Sequence, residues 1–354
     1  MTKRVAIICG GRSSEHEISC ISAGGVLSAI DRSKFEPVLI GISKSGKWFL
    51  LDQSTSLTIK DGVLPVIPEN GTSVSLDASG FISSGVNLNI DIVFPLLHGP
   101  YGEDGTIQGM LELLDVAYVG AGVLGSSIGM DKALSKDVLA RHGIAQPRYH
   151  ALRESEINPE TLRNIVDELG LPLFVKPANM GSSVGVSKAH TVDEVIAATE
   201  QALTYDEWIV FEEAITGREI EVAVLGSLEP EASVAGEIVP AHEFYDYEDK
   251  YLGDSAQLLV PAPLSDAAAI EVRQLAVQVF QALRGEGLAR VDFFYEENGR
   301  GFLCNEINTM PGFTPISMYP KLWLASGLSY PELIDRLVEL AQQRHARRRR
   351  NTAH

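Results

Sequence analysis

Near the end of the chain, CNEINTMPGFT (residues 304–314) places Glu306 and Asn308 two residues apart, directly before Pro311-Gly312. If GFLCNEIN (301–308) is a strand, its two-residue period points Glu306 and Asn308 to one face and Leu303 and Ile307 to the other. LARVDFFY (288–295) reads as a second strand in which Arg290 and Asp292 share a face, and the intervening EENGR carries an Asn-Gly hairpin signal. Antiparallel pairing would gather Arg290, Asp292, Glu306 and Asn308 on one surface. Two carboxylates and an amide are hard oxygen donors suited to Mg2+ or Mn2+, and Mg2+ usually shares its shell with substrate phosphates. An arginine beside them suggests phosphate chemistry. A solvated hairpin face would present the same residue types, so the pattern needs support from other parts of the chain.

That support comes from two glycine loops. RVAIICGG (4–11) reads as a buried strand leading through GGRSSE into a helix, the place where backbone N–H groups meet ligands. The loop matches neither the dinucleotide fingerprint nor the P-loop, which excludes a Rossmann dehydrogenase. Ser14 with Glu17 fits a capping box. Glu15 either complements the helix dipole or binds a substrate ammonium group. The second loop, NMGSSVG (179–185), offers Ser182, Ser183 and unhindered N–H groups to an anion. Lys176 precedes it, and Lys132 stands at a predicted helix start; each is a candidate phosphate cation or a surface residue. Glu212 and Glu213 end a predicted strand and Glu219 follows, acids that could accept from an adenine amino group or ribose hydroxyls, or simply face solvent. His98, at a strand end in LLHGPYGEDG, could orient substrate or move a proton.

The elements that must position these groups are α/β. Strands alternate with helices over about the first 125 residues, indicating a parallel layer, with a polar Gly/Ser/Asp-rich excursion or small hairpin at 52–90. The units expected are 1–128, 129–212 and 213–346, followed by a basic tail at 347–354. The basic run RHARRRR (344–350) is expected to be a solvated helix end or disordered. With 354 residues the chain can bury a large core. Its net charge of −18 argues against nucleic acid or an anionic membrane as partner, and no apolar stretch approaches a membrane span. Three cysteines without C-x-x-C spacing indicate a reducing compartment, so a cytoplasmic protein is expected.

Taken in order, GGRSSEHEIS, LHGPYGEDGTIQGMLELLDVAYVGAGVLGSSIGMDK, FVKPANMGSSVGVSK, EFYDYEDKYL, ARVDFF and NEINTMPGFTPISMYP make the chain resemble the D-alanine:D-alanine ligases of the ATP-grasp superfamily, from residue 4 to about 340. The resemblance implies a three-module ATP-grasp architecture with an N-terminal parallel α/β domain, and ATP-dependent formation of D-alanyl-D-alanine through an acyl phosphate for peptidoglycan. It implies two Mg2+ (or Mn2+) ions held by Asp292, Glu306 and Asn308, and ATP gripped by Lys132, Lys176 and the Ser182-Ser183 loop. Glu212 and the backbone near Ala214 would face adenine, and Glu219 the ribose. Glu15, with His98 nearby, would bind the first D-alanine, linked through Ser182 to Tyr251. Arg290 and the Gly312 N–H would stabilise the oxyanion, and Ser317 with the Met318 backbone would hold the second D-alanine. Tyr251 favours a dipeptide over a D-lactate product. HEFYDYEDKYLGDSAQ (242–257) is expected to be a closing lid, and the enzyme a homodimer. The rival readings are another carboxylate-amine ligase of the superfamily and a nucleotide-binding regulator that has lost its chemistry.

Overall fold

In the computed structural model, which describes residues 2–240 and 257–349, the strand Lys3–Gly10 lies between two parallel neighbours, Phe35–Ile42 and Ile92–Pro95. Its side chains are buried on both faces: Val5, Ile7 and Cys9 join one core, Ala6 and Ile8 another. A parallel strand covered on both sides must be apolar where it is covered, as VAIIC (5–9) is. The helices His16–Ala29 and Thr106–Leu113 contribute to these two cores, one to each. Of the two forms expected for the polar stretch, residues 72–87 take the hairpin. Thr72–Asp77, Gly80–Ser83 and Val86–Asn87 add antiparallel strands to the same sheet, giving eight strands, parallel at one end and antiparallel at the other. The polar composition of the expected excursion reflects an edge hairpin exposed on one side.

A second sheet of four strands carries Leu173–Pro177 beside Trp208–Glu213, backed by the helices Pro159–Leu169 and Val192–Ala202. A third, of five strands, contains Arg218–Gly226, Gly287–Glu296 and Gly301–Asn308. One face of this sheet, including Ile220, Val222, Ala289 and Val291, packs under the helix Asp266–Ala282. The alternate residues face the other way and carry the polar groups of the site. Among the described residues no helix is long and apolar enough to cross a membrane.

The basic run corrects the expectation of a solvated tail. Residues to Arg348 continue the helix Tyr330–Arg348. Arg344 stacks 3.9 Å from the Tyr118 ring centroid and reaches Glu112 at 3.4 Å, joined there by Arg348. His345 meets Asp115 at 2.8 Å and Arg347 meets Glu286 at 3.2 Å. A charge run read without its partners looks solvated; here the acids come from two other segments, 112–115 and the loop at Glu286. Glu112 also accepts from Tyr118 Oη at 2.6 Å. Replacing it (Glu112→Ala) would leave Arg344, only 6% exposed, without its acid, and should lower stability by about 1–3 kcal/mol. Thermal unfolding measures this, and an unchanged midpoint would show that apolar packing alone seats the helix end.

Candidate active site

The expected antiparallel hairpin forms, and its register sets Arg290 opposite Asn308 and Asp292 opposite Glu306. The face is not regular, however. Asp292 pairs with Glu306 but Phe293 pairs with Cys304, so Asn305 is an extra residue. The bulge reverses the alternation, and Ile307 shares its core with Phe302 and Cys304 rather than following Leu303. Arg290 donates from Nε and Nη2 to the two Asp292 oxygens at 2.7 and 2.6 Å. Asn308 Nδ2 donates to Asp292 Oδ2 at 2.9 Å. A further acid completes the cluster: Glu221, directly opposite Asp292 on the neighbouring strand, lies 3.1 Å from Arg290 Nε. Burial works against the Arg290 charge, but Asp292 and Glu221 outweigh it and hold the guanidinium protonated.

The phosphate cations stand beside this face. Asp131 caps the helix Lys132–Arg141 through the Leu134 N–H at 2.9 Å, fixing Lys132 at its first position. Lys132 Nζ donates to Met180 O at 2.6 Å, in the glycine-serine loop. Burial lowers its pKa, partly opposed by Glu306 and reinforced by Lys176. Lys176 Nζ lies 2.6 Å from Glu212 Oε1, while Lys136 Nζ lies 2.5 Å from Glu212 Oε2. Burial pushes the Glu212 carboxyl up, yet the two ammonium groups bring it down to about 2. Glu213 points away: its carboxylate takes the Arg148 N–H at 2.8 Å and Arg300 at 2.6 Å. Ala214 N–H donates to Pro172 O at 3.3 Å, and Glu219, half-buried, sits opposite Phe294.

The two glycine loops meet. Ser182 Oγ donates to Glu15 Oε1, although Glu15 begins a helix in another sheet's layer. Glu15 occupies the N-cap position without capping, and Glu17 instead pairs with Lys44 at 2.5 Å. The expected Ser14–Glu17 capping box is therefore absent, because both acids have longer-range partners. A Cβ on Gly99 or Gly181 would come within 2.9 Å of Glu15 Oε2, so both glycines make room for this carboxylate. Ser182 and Ser183 both adopt left-handed backbone, at φ of 48° and 59°. Such strain is typical of ligand clamps.

His98 is buried between Ser22, 3.2 Å from Nε2, and Met310 O, 2.9 Å from Nδ1. A carbonyl only accepts, so Nδ1 carries the proton. Burial lowers the pKa against the pull of Glu15, leaving Nε2 to accept from Ser22. Glu103 accepts from Gly99 N–H at 2.7 Å and Met310 N–H at 3.2 Å. Burial, then the Glu15 charge, raises it to about 8. Gly312 lies beside Ser317, whose Oγ meets Thr314 Oγ1 at 2.8 Å at the start of the helix Met318–Ala325. The first N–H groups of a helix have no intrahelical partner and favour an anion, and Met318 stands at that position with its side chain in the core. Tyr251 and most of the expected lid lie outside the described residues.

Glu306 joins these parts electrostatically, since its charge acts on Lys132, Arg290 and Glu103 alike. The acid, the serine loop, the lysines and the hairpin thus form one continuous site. Among the described residues no three His, Cys, Asp or Glu groups gather as a complete metal cage. Asp292, Glu306 and the Asn308 amide, paired on one strand face, supply a partial oxygen set that fits Mg2+ sharing its shell with phosphate.

The family models described as "D-ala D-ala ligase N-terminus" and "D-ala D-ala ligase C-terminus" match residues 4–121 and 138–339. The chain belongs to the D-alanine:D-alanine ligase family. Proteins named D-alanine–D-alanine ligase from Halothermothrix orenii and Paenarthrobacter aurescens are 46% and 49% identical to it. The first comparison covers 96% of this chain and 98% of the relative, the second 96% and 95%. Among solved structures, the D-alanine-D-alanine ligase from Coxiella burnetii superposes with a TM-score of 0.87 at 35% identity, covering 99% of this chain and 98% of that one. The VanG D-Ala:D-Ser ligase from Enterococcus faecalis gives 0.85 at 34%, covering 96% and 100%.

Sequence reasoning missed Lys136, Glu221, Glu103 and Ser22. Two of these had a signal. Lys136 is one helical turn after Lys132, and Glu221 is two strand positions after Glu219. In this ligase-family site Glu212 titrates in the folded state well below its ordinary value of 4.5. Its stabilisation is therefore complete above pH about 4.5 and lost as pH falls through about 2. Glu212→Gln should cost about 3–5 kcal/mol at pH 7, because two buried ammonium groups lose their acid, and the gap to wild type should narrow on acidification. Denaturant unfolding across that range tests it; a gap independent of pH would refute the buried ion triad.

Proposed function

We propose that this chain joins two molecules of D-alanine into D-alanyl-D-alanine for peptidoglycan synthesis, converting ATP to ADP and phosphate. One observation carries the reading: an acid fit for an ammonium group, a serine-glycine loop with two lysines beside it and an oxygen-bearing hairpin face are brought together in a chain of this family. The carboxylate of the first D-alanine attacks the γ-phosphorus of ATP, giving an acyl phosphate and ADP. The amine of the second then attacks the acyl carbonyl, and phosphate leaves.

Glu15 receives the ammonium of the first D-alanine, with Ser182 holding the carboxylate in place and Tyr251 extending that chain. Neutral His98 keeps the Met310 backbone in position beside it. Lys132, Lys176 and the N–H groups of Ser182-Ser183 bind the phosphates, Glu212 and the Ala214 backbone face adenine, and Glu219 takes the ribose. Arg290 and the Gly312 N–H accept the charge developing on the tetrahedral oxygen. Ser317 and the Met318 N–H take the carboxylate of the second D-alanine. Asp292, Glu306 and Asn308 would hold two Mg2+ (or Mn2+) ions, which neutralise charge on the transferred phosphoryl group when bound. The units 1–128, 129–212 and 213–346 divide this work among first substrate, nucleotide, and metal with second substrate. The enzyme acts in the cytoplasm as a homodimer.

Phosphate release from Mg-ATP should depend on D-alanine, with D-alanyl-D-alanine detected by mass, and neither L-alanine nor D-lactate should replace it. Asp292→Asn should lower kcat/KM by about a hundredfold. D-Alanine-independent release, or product formation unaffected by Asp292→Asn, would sink the assignment.

A further inference from the structure

Glu212 sits between two lysines, and only one of them faces the cleft. The Lys136 side chain is 3% exposed, against 13% for Lys176 and 1% for Glu212. Around its ammonium lie the Glu212 carboxylate at 2.5 Å and the face of Tyr149 at 5.3 Å. A group so enclosed does not reach a ligand. Nor is stability an adequate reason for it, because a buried ion pair is often no better than an apolar pair of similar volume. An apolar pair, however, could not govern a third charge. Glu212 gives one oxygen to each lysine. With Lys136 absent, the whole carboxylate charge would fall on Lys176 and compete with phosphate for its N–H donors.

We propose that Lys136 is a positioning residue that acts through Glu212: it neutralises that carboxylate, so that Glu212 orients Lys176 while Lys176 keeps its charge for the nucleotide phosphates. Across the four groups Lys132, Lys136, Lys176 and Glu212, the net charge is then +2. A triphosphate entering from an otherwise acidic protein needs that excess. The inference rests on the reading of the site as a Mg-ATP site.

The test is calorimetric titration of the full chain with Mg-ADP, alongside steady-state kinetics. Lys136→Met should weaken Mg-ADP about tenfold or more and raise the KM for ATP in proportion, with kcat at saturating ATP and the KM for D-alanine within about threefold of wild type. Lys136→Arg, which keeps the charge, should bind within about threefold of wild type. The pair Lys136→Met/Glu212→Gln should bind more tightly than Lys136→Met alone, since the competing charge has gone. Wild-type affinity in Lys136→Met, or a double variant no tighter than the single, overturns the proposal. If Lys136→Met does not fold, the charge-balanced double variant decides: binding within about tenfold of wild type supports the role, and loss of binding overturns it. A wild-type chain that binds no Mg-ADP overturns the site reading as well, whereas wild-type binding with indifferent variants removes only the role of Lys136.

Discussion

The turn after the strand Gly301–Asn308 is held from outside its own sheet. His98 donates to Met310 O, Glu103 accepts from Met310 N–H, and Ser22 accepts from Phe313 N–H at 3.3 Å while serving His98. These bonds fix where the hairpin acids lie relative to Glu15, which belongs to the first sheet's layer. The Met310 carbonyl fixes the proton on Nδ1, and burial favours the neutral ring, so Nε2 is left to accept from Ser22. One buried imidazole thus ties the first sheet's layer to the turn that follows Gly301–Asn308.

Charge in the cleft is arranged against the average of the molecule. A protein of net charge −18 concentrates Lys132, Lys136, Lys176 and Arg290 around one opening. Each is buried far enough to need an acid, and each acid is drawn from a different strand or shared. Where acids crowd, one gives way: burial first, and then the neighbouring Glu15 carboxylate, raise the Glu103 pKa to about 8. Asp292 serves as the tie between Arg290 and Asn308 before any ligand arrives, so the donors are oriented at no further cost in side-chain freedom.

Much of this was legible in the sequence because it obeys short periods. The hairpin, the lysine at a helix start and the serine-glycine loop all follow from residues close in sequence, those of the hairpin lying within 290–308. The bulge at Asn305 was not legible, since one extra residue changes the alternation without changing composition. Lys136, Glu221 and Glu103 are ordinary charged residues in sequence; their meaning lies in partners on other elements. Arg344 and its neighbours were misread for the same reason, their acids lying more than 50 residues away. The capping signal at Ser14 failed because tertiary partners claimed Glu15 and Glu17 first.

The last helix also belongs to the first core. Leu333, Ile334, Leu337, Val338 and Ala341 pack in the same cluster as Val5, Ile7, Ile92 and Phe94. Lys34 reaches Asp335 at 2.5 Å and Lys3 reaches Gln342 at 2.7 Å, so the two ends of the chain close on each other. During synthesis the amino-terminal strands leave the ribosome long before that helix exists. Their sheet therefore waits with part of one apolar side, beside the helix His16–Ala29, uncovered until residues 330–341 have been made. A layer begun among the first residues is thus closed only by residues about three hundred positions later.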